Sequence, residues 1–463
     1  MNFLKFFNVL LLVVTTSGVT SSVFAQELRT SYFMDNAPVA RVMNPATMPQ
    51  RGYFSIPVVG SVGFSLLSND FSFKDLFYVN NQNELVSFVD KSYDANLFLS
   101  KLSENNAFTT DLAIGILSTG WYTQKSLWTL DVGFKLNIGA NIPKSMFEFL
   151  RYTVDGADWN DVQQNYRILD FKLNILSYGE VALGLARPIT RQLAVGAKAK
   201  LILGLADVNL HIDEMSTAQN GDVWDMTTRG SLKGALKGAE LGSEMNDQGE
   251  MYVERFDFGN PGFSGLGFGL DLGATYQLFD NLRFSAALND IGFIRWNKNA
   301  AIAAGVNGQY QYAGVSTESE DGWDQLEDIF GNLEDVFHMQ EQVGEAYTTA
   351  LRSTINIGGE YTFLNNLLGV GVLSSTKTGN PKTYTELTLM GAVRPTSWFT
   401  TSLSYSFVNN SDTFGAAFNF HPSWINVFIG SDYIVFNSKK GVPQLGNSGN
   451  VYFGLAIPMS KKK

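Results

Sequence analysis

The chain has 463 residues, enough for one large domain or for two to three ordinary ones. Its 33 Lys and Arg face 44 Asp and Glu, a formal net charge of -11, and 17% of residues are charged against 45% hydrophobic. The apolar fraction excludes a disordered chain, and the acidic balance excludes a nucleic-acid binder, which needs a basic footprint. With no Cys and only three His, disulfides, thiolate metal sites and a cysteine nucleophile are excluded, and no metal, cofactor or enzyme activity is expected.

Residues 1–25 read as a secretory signal, with Lys5 as the positive start, Phe6–Val14 as the apolar core and Val23-Phe24-Ala25 as the small-residue cleavage site. An anchor helix would have to cross ~30 Å of hydrocarbon, which so short a core cannot do. Later in the chain no run reaches the ~18 consecutive apolar residues of a spanning helix. An exported chain of this kind enters a membrane as a closed barrel, which also satisfies every backbone polar group in lipid. Residues 26–51, which follow the signal, precede the first clear strand.

From Gly52 onward, period-two alternation dominates. In Trp128–Ala140, Trp128, Leu130, Val132, Phe134, Leu136, Ile138 and Ala140 share one face, and Asp131, Lys135 and Asn137 lie on the other. The pattern returns at 54–65, 108–116, 171–185, 193–205, 266–278, 282–288 and 351–363. Shorter runs follow at 368–374, 385–393, 398–407, 414–420, 427–435 and 451–457, with a weaker one at 300–312. The expected count is about fourteen strands, by the period-two template. Between them, 71–106 reads as one or two short amphipathic helices, 142–170 as a helix start at Met146, Phe147 and Leu150, and 207–250 as a polar, glycine-rich connection. The connection 314–349 reads as acidic and helical, with Leu326, Phe330, Leu333 and Phe337 at helical spacing. No linker breaks 52–463, which is expected to form one domain.

Three features favour a membrane barrel over a soluble sheet. Many runs exceed the ~9–11 residues of a tilted spanning strand, whereas ordinary strands average ~5–6. Charges keep to the polar phase: Asp111, Asp131, Lys135, Lys172, Glu180, Lys198, Lys200, Asp271, Arg283, Arg352, Glu360 and Glu386. Lipid enforces this, because Arg or Lys facing mid-bilayer costs ~2–4 kcal/mol. Aromatic pairs sit at strand ends, among them Trp121-Tyr122 and Trp398-Phe399, as interface girdles do. The fold class is therefore all-β, a closed antiparallel transmembrane β-barrel of about 14 strands. So wide a barrel needs filling, since eight strands already suffice for side chains alone, and 26–51 is the natural filler.

Two sets of motifs carry a resemblance. Asn44-Pro45-Ala46 lies just before the first strand. Further on stand Asp271-Leu272-Gly273, then Asp290-Ile291-Gly292, then Trp296. In this order they resemble the outer-membrane barrels of the long-chain fatty acid transporter superfamily, which also includes the shuttle barrel of the type IX secretion system. The chain looks most like an uncharacterised Bacteroidota family of such barrels. The resemblance implies a 14-stranded barrel with an N-terminal plug, a place in the cell outer membrane, and uptake of hydrophobic solutes. The C-terminus departs from many such barrels: the last strand, 451–457, is followed by Pro458-Met459-Ser460-Lys461-Lys462-Lys463, read as a tail.

Asn44-Pro45-Ala46 is expected to pin the plug, since Asn favours a turn and Pro restricts the residue before it to extended geometry. Gly265, Gly267 and Gly269 lie within an alternating strand, so they are read as a site of interior crowding or a wall kink rather than a phosphate loop. Gly230, Gly234, Gly238 and Gly242 are read as a polar loop, since Lys233, Lys237 and Glu240 intervene. The ten acids from Glu318 to Glu345 are read as a solvated helix rather than a Ca²⁺ site. His211, His338 and His421 fall in separate regions, and no Gly-x-Ser-x-Gly elbow accompanies them. The functional expectation is passage of a hydrophobic or amphiphilic small molecule, with outer-membrane lipid as the surround. The alternative is a scaffold or secretion accessory that docks other envelope proteins.

Overall fold

A computed structural model describes residues 28–461 except 38, 57–61, 69–72, 81, 83–84, 91–93, 154–164, 221–222, 246–250, 261, 313–338, 380, 409–410 and 435–447. The expected signal, the expected helical stripe of Leu326, Phe330, Leu333 and Phe337, and His338 lie outside the described residues. In chain order the strands are β1 (Arg51–Ser55), β2 (Val62–Ser68), β3 (Phe77–Val79), β4 (Leu85–Ser87), β5 (Asn105–Thr123), β6 (Ser126–Pro143), β7 (Asn165–Pro188), β8 (Leu193–Asn220), β9 (Val223–Leu236), β10 (Ala239–Met245), β11 (Met251–Phe258) and β12 (Gly265–Phe279). They continue as β13 (Leu282–Trp296), β14 (Ala301–Tyr312), β15 (Met339–Gln342), β16 (Thr348–Ala350), β17 (Thr354–Phe363), β18 (Leu368–Lys377), β19 (Tyr384–Thr396), β20 (Phe399–Val408), β21 (Ser411–Phe420), β22 (Asn426–Ile434) and β23 (Ser448–Lys461). Among the described residues the α-helices are α1 (Ala40–Met43), α2 (Ala95–Leu99) and α3 (Lys144–Thr153).

The main sheet closes on itself. β1 and β2 share one position, because both pair with β5 on one side and β23 on the other. From there the order runs β5-β6-β7-β8-β12-β13-β17-β18-β19-β20-β21-β22-β23 and back, an antiparallel barrel of 14 strands. One rim carries tight turns, such as Asp280-Asn281 between β12 and β13. The β17–β18 turn places Leu364, Asn365 and Asn366 at φ 49°, 56° and 69°, a left-handed run that Asn tolerates best.

Burial is inverted relative to a soluble protein. Phe268 is 57% exposed and Leu403 64%, whereas Asp271 is 2% exposed and Glu386 1%. Water would favour the reverse; a lipid annulus outside and a filled polar interior produce this pattern. The charged positions that alternation assigned to the inner phase follow it: Asp111, Lys135, Lys198, Lys200, Asp271, Glu360 and Glu386 are all buried.

On one side the strands overshoot the barrel. β7 has 24 residues and β8 has 28, more than twice the ~9–11 that a spanning strand requires. The lower part of β8 pairs with β12 and its upper part with β9; β9 then pairs with β14, and β14 with β15. On this distal sheet Phe171, Ile175, Val208, Leu210 and Ile212 form one core with Phe88, Phe98, Phe147 and Phe149. No register slip separates Ile138 from Val132 in the β6–β7 pairing, so the covered face is the lipid-facing phase carried upward. On the distal sheet that face is covered by α2, α3 and the β3–β4 hairpin.

Several expectations need correction. Residues 207–250 are mostly strand rather than a connection: β8 continues to Asn220, and β9, β10 and β11 follow. β9 does alternate, with Trp224, Met226, Thr228 and Leu232 buried and Asp225, Thr227, Arg229 and Ser231 exposed. Its small and polar residues hid the period. Gly230 and Gly234 therefore sit on a strand; only Gly238 occupies a turn, at φ +82°. The weak run 300–312 is β14, which extends the distal sheet and is not one of the fourteen. Within 71–106, α2 is the one α-helix among the described residues, beside a 3-10 turn and a hairpin. The segment 314–349 contributes β15 and part of β16 where it is described. The expected C-terminal tail is strand as far as Lys461; Pro458 is accommodated where the β1 register slips between Arg51 and Tyr53, a place where its missing N–H breaks no regular ladder.

Candidate functional site

Residues 28–50 run inside the barrel, and their contacts reach strands on opposite sides of it. At the start, the N–H groups of Arg29 and Thr30 donate to the two carboxylate oxygens of Asp432 at 3.0 and 2.9 Å. The Arg29 guanidinium pairs with Glu386, lies 3.5 Å from Asp432 and donates to Tyr433 Oη. Thr30 Oγ1 lies 2.6 Å from Ser404 Oγ. Next, Asp35 takes both oxygens to Arg283 Nη1 at 2.7 Å, and Arg283 also reaches Glu360 at 2.8 Å. Arg394 donates to Glu360 and to the Phe33 carbonyl.

The turn at Asn44 meets β8 and β12. Asn44 Oδ1 accepts from Ala46 N–H at 2.9 Å and its Nδ2 donates to the Ala274 carbonyl at 3.3 Å. The Met43 carbonyl accepts from Asn289 and Asn356 at 2.8 and 3.0 Å. Two wall glycines make this approach possible. A Cβ on Gly273 would stand 2.2 Å from Asn44 Oδ1, and one on Gly196 2.3 Å from the Pro45 carbonyl. Gly273→Val is therefore expected to push this turn off the wall; proteolysis of residues 40–50 in the folded barrel should speed up several-fold, and unchanged protection would refute the tight fit.

The two family-like tripeptides come together. Asp271 and Asp290 point inward, while Leu272 and Ile291 are exposed outside at 42% and 37%. Asp271 Oδ1 accepts the Asp290 N–H at 2.8 Å. Asp290 sits at φ 56°, at a break in the β12–β13 register between Leu270 and Leu272. There β13 also changes partner, from β17 at 282–289 to β16 at 293–295. Across this break Gly292 and Gly267 approach the opposite backbone so closely that a Cβ would lie 2.2 Å from the Phe268 carbonyl or 2.1 Å from the Phe293 carbonyl. Gly265 is crowded by Arg295 and Trp296, and Gly269 has ordinary contacts at 3.4 Å. Trp296 is fully buried and donates to Thr349 at 2.9 Å.

Around the break lies a buried charge cluster. Asp290 binds Lys200 at 2.6 Å and Lys135 at 3.0 Å. Lys200 also meets Asp271 at 2.7 Å, Lys135 meets Glu180 at 3.0 Å, and Lys198 meets Asp131 at 2.9 Å. Between these wall residues and Val39, Arg41 and Val42 of the inner segment is a cavity of about 100 Å³. A second hollow of about 450 Å³ opens at the tight-turn rim, beside Asn36, Pro49, Gln50, Trp398 and His421.

Sequence reasoning found Asn44-Pro45-Ala46 and both aspartates but missed Arg29, Asp35, Asp432 and Tyr433. Of these, Asp432 alone is a charge on the inward phase of a strand; Arg29 and Asp35 precede the first strand and have no phase to read, and Tyr433 carries no charge. His211 lies 2.9 Å from Asp170 on the distal strands, and His421 lies in the rim turn after β21.

A family profile described as "Family of unknown function (DUF5723)" matches residues 45–432. No curated protein matches. Among solved structures, the chain is similar to the Ralstonia pickettii toluene transporter TbuX, with TM-score 0.42 and 11% identity over 96% of both chains. It is similar to the Pseudomonas putida toluene transporter TodX, with TM-score 0.40 and 10% identity over 96% of this chain and 100% of that one. It also matches a Pseudomonas aeruginosa FadL homologue, with TM-score 0.35 and 11% identity over 92% and 95% of the two chains.

Proposed function

Since the chain belongs to the DUF5723 family and closes into a barrel around its own N-terminal segment, we propose that it is an outer-membrane transport barrel for a hydrophobic or amphiphilic small molecule. In this reading residues 26–51 are the plug, Asn44-Pro45-Ala46 seats it, and the broken β12–β13 ladder around Gly265, Gly267 and Gly269 is the kink in the wall. The observation that carries the reading is the plug's mode of attachment. It is held by ion pairs, hydrogen bonds and glycine-windowed packing, all reversible, and it closes off a hollow beside a weak point of the wall. A permanent structural filler has no need of so many charged contacts, which apolar packing of similar volume often matches or exceeds in stability.

The scaffold reading draws less support. Docking needs a contiguous apolar surface; Phe88 and Phe98 of 71–106, with Phe147 and Phe149, lie inside the distal core, and the other expected docking stripe, Leu326 to Phe337, lies outside the described residues.

The absence of native cysteine allows a direct test. Thr30 Oγ1 and Ser404 Oγ are 2.6 Å apart, close enough for a Thr30→Cys/Ser404→Cys disulfide to tie plug to wall. Cells carrying the barrel in the outer membrane should take up the hydrophobic dye N-phenyl-1-naphthylamine faster than cells without it. The oxidised tether should abolish that gain and dithiothreitol should restore it. A tethered barrel that still accelerates uptake rules out plug-gated passage.

A further inference from the structure

The inner cavity and the rim hollow share one lining residue, Asn426, at the start of β22. Asn426 Nδ2 donates to the Asn36 carbonyl of the plug at 2.7 Å. With its amide turned to satisfy both neighbours, Asn419 donates to Asn426 Oδ1 at 2.6 Å and accepts from Ala37 N–H at 3.3 Å. One side chain and two hydrogen-bonding neighbours thus close the gap between plug and wall at this point. Beside it the partition is completed by Arg41, which lines the inner cavity, stacked 4.7 Å from the ring of Tyr53, which lines the rim hollow. Both cavities are large enough for water, which needs ≳ 10–15 Å³ of such volume, so the partition separates two hydratable spaces.

We propose that Asn426 is the inner gate of a route through the barrel: solute passes from the charge-lined cavity, between plug and β22, into the hollow at the tight-turn rim. The inference rests on the plug-gated transport reading and adds to it a path and a gating residue. Loss of two hydrogen bonds at Asn426 opens the path without breaking the side-chain ion pairs of Arg29 with Glu386 and of Asp35 with Arg283, which use other atoms of the plug. The route differs from an exit through the β12–β13 break, since β22 belongs to another part of the wall. A polar gate flanked by Arg41 also suits a solute with a polar or charged end better than a pure hydrocarbon, whose passage would leave these groups unpaired.

The test uses the mature barrel in planar lipid bilayers, with potassium chloride as the permeant probe. Asn426→Cys shortens the side chain and introduces the chain's sole cysteine. Its mean conductance should rise several-fold over the parent. Treatment with methanethiosulfonate ethyltrimethylammonium should return it to the parent level, because the bulky adduct refills the gap. If Asn426→Cys fails to migrate as a folded barrel on unheated gels, Asn426→Ser carries the conductance comparison. Conductance equal to the parent's, or a rise that the reagent leaves untouched, overturns the route. Dye uptake is measured separately. A barrel that takes up no dye but conducts through Asn426 loses only the proposed solute, whereas one with plug-dependent uptake and no response at Asn426 loses only the path.

Discussion

Arg29→Ala is expected to release the first turn of the plug and leave the barrel conducting. Arg29 is 6% exposed, and its guanidinium serves Glu386, Asp432 and Tyr433 at once. Glu386 and Asp432 are 1% and 0% exposed, so the substitution leaves two buried carboxylates short of a cation. Removing one partner of a buried ion pair costs about 3–5 kcal/mol. The wall does not share that cost equally, because the barrel ladder contains no bond to Arg29; the plug end, held by a few side chains, gives way first. Bilayer conductance should rise and protease should cut near residues 28–34, while unheated gels still show a folded barrel. Arg29→Lys should recover little, since an ammonium cannot reproduce the planar fork that spans three partners. A closed, protease-resistant Arg29→Ala barrel would show that the latch is dispensable.

Asp290→Ala is expected to weaken the barrel itself. Asp290 is the shared partner of Lys135 and Lys200, both nearly fully buried. Asp271 and Glu180 remain, but two lysines then face two carboxylates where three had been. The expected loss is smaller than the ~3–5 kcal/mol of a buried pair broken outright, because each lysine keeps one carboxylate partner. Backbone geometry adds a second part. At φ 56° an Ala pays roughly 1–2 kcal/mol that Asp or Asn largely escapes. Asp290→Asn should therefore show most of the destabilisation, Asp290→Ala more, and Asp290→Gly about as much as Asn. Urea midpoints of the folded barrel give the order. Equal midpoints for all three variants and the parent would mean that neither the charge nor the turn matters.

The barrel was legible because lipid imposes a rule that reads directly in sequence. Charges such as Lys198, Lys200 and Asp271 lie on one phase while Leu201, Leu270 and Leu272 lie on the other, and a strand side chain has only two directions to point. Where the membrane stops, that rule stops too. Phe171–Ile175 and Val181–Leu185 look alike in sequence, yet the first group is covered by helices and the second is exposed. Alternation cannot distinguish lipid from a packed helix as the cover, so 171–185 reads as one uniform strand, while the extension of β8 past 206 and the strands β9 and β10 fall in what reads as a connection. The strands of that region, such as β9, also present polar residues to water, which weakens the very contrast being sought.

The site was legible in part for a similar reason. Asn44-Pro45 announces a turn by local chemistry, and Gly273 and Gly292 stand out within strands that would otherwise prefer side chains. Their shared purpose, close approach of one backbone to another, depends on which strand lies opposite. Arg29 and Asp432 are separated by more than 400 positions in the chain, and no local pattern links them.

The central claim is that residues 28–50 fill the lumen of a closed barrel. Hydrogen–deuterium exchange of the purified protein in detergent micelles tests it most directly. The N–H groups of Arg29 and Thr30 on Asp432, and that of Ala46 on Asn44, should exchange on the slow timescale of the strands. Exchange of the whole segment within seconds, beside a slowly exchanging barrel, would place it outside the lumen and contradict the account.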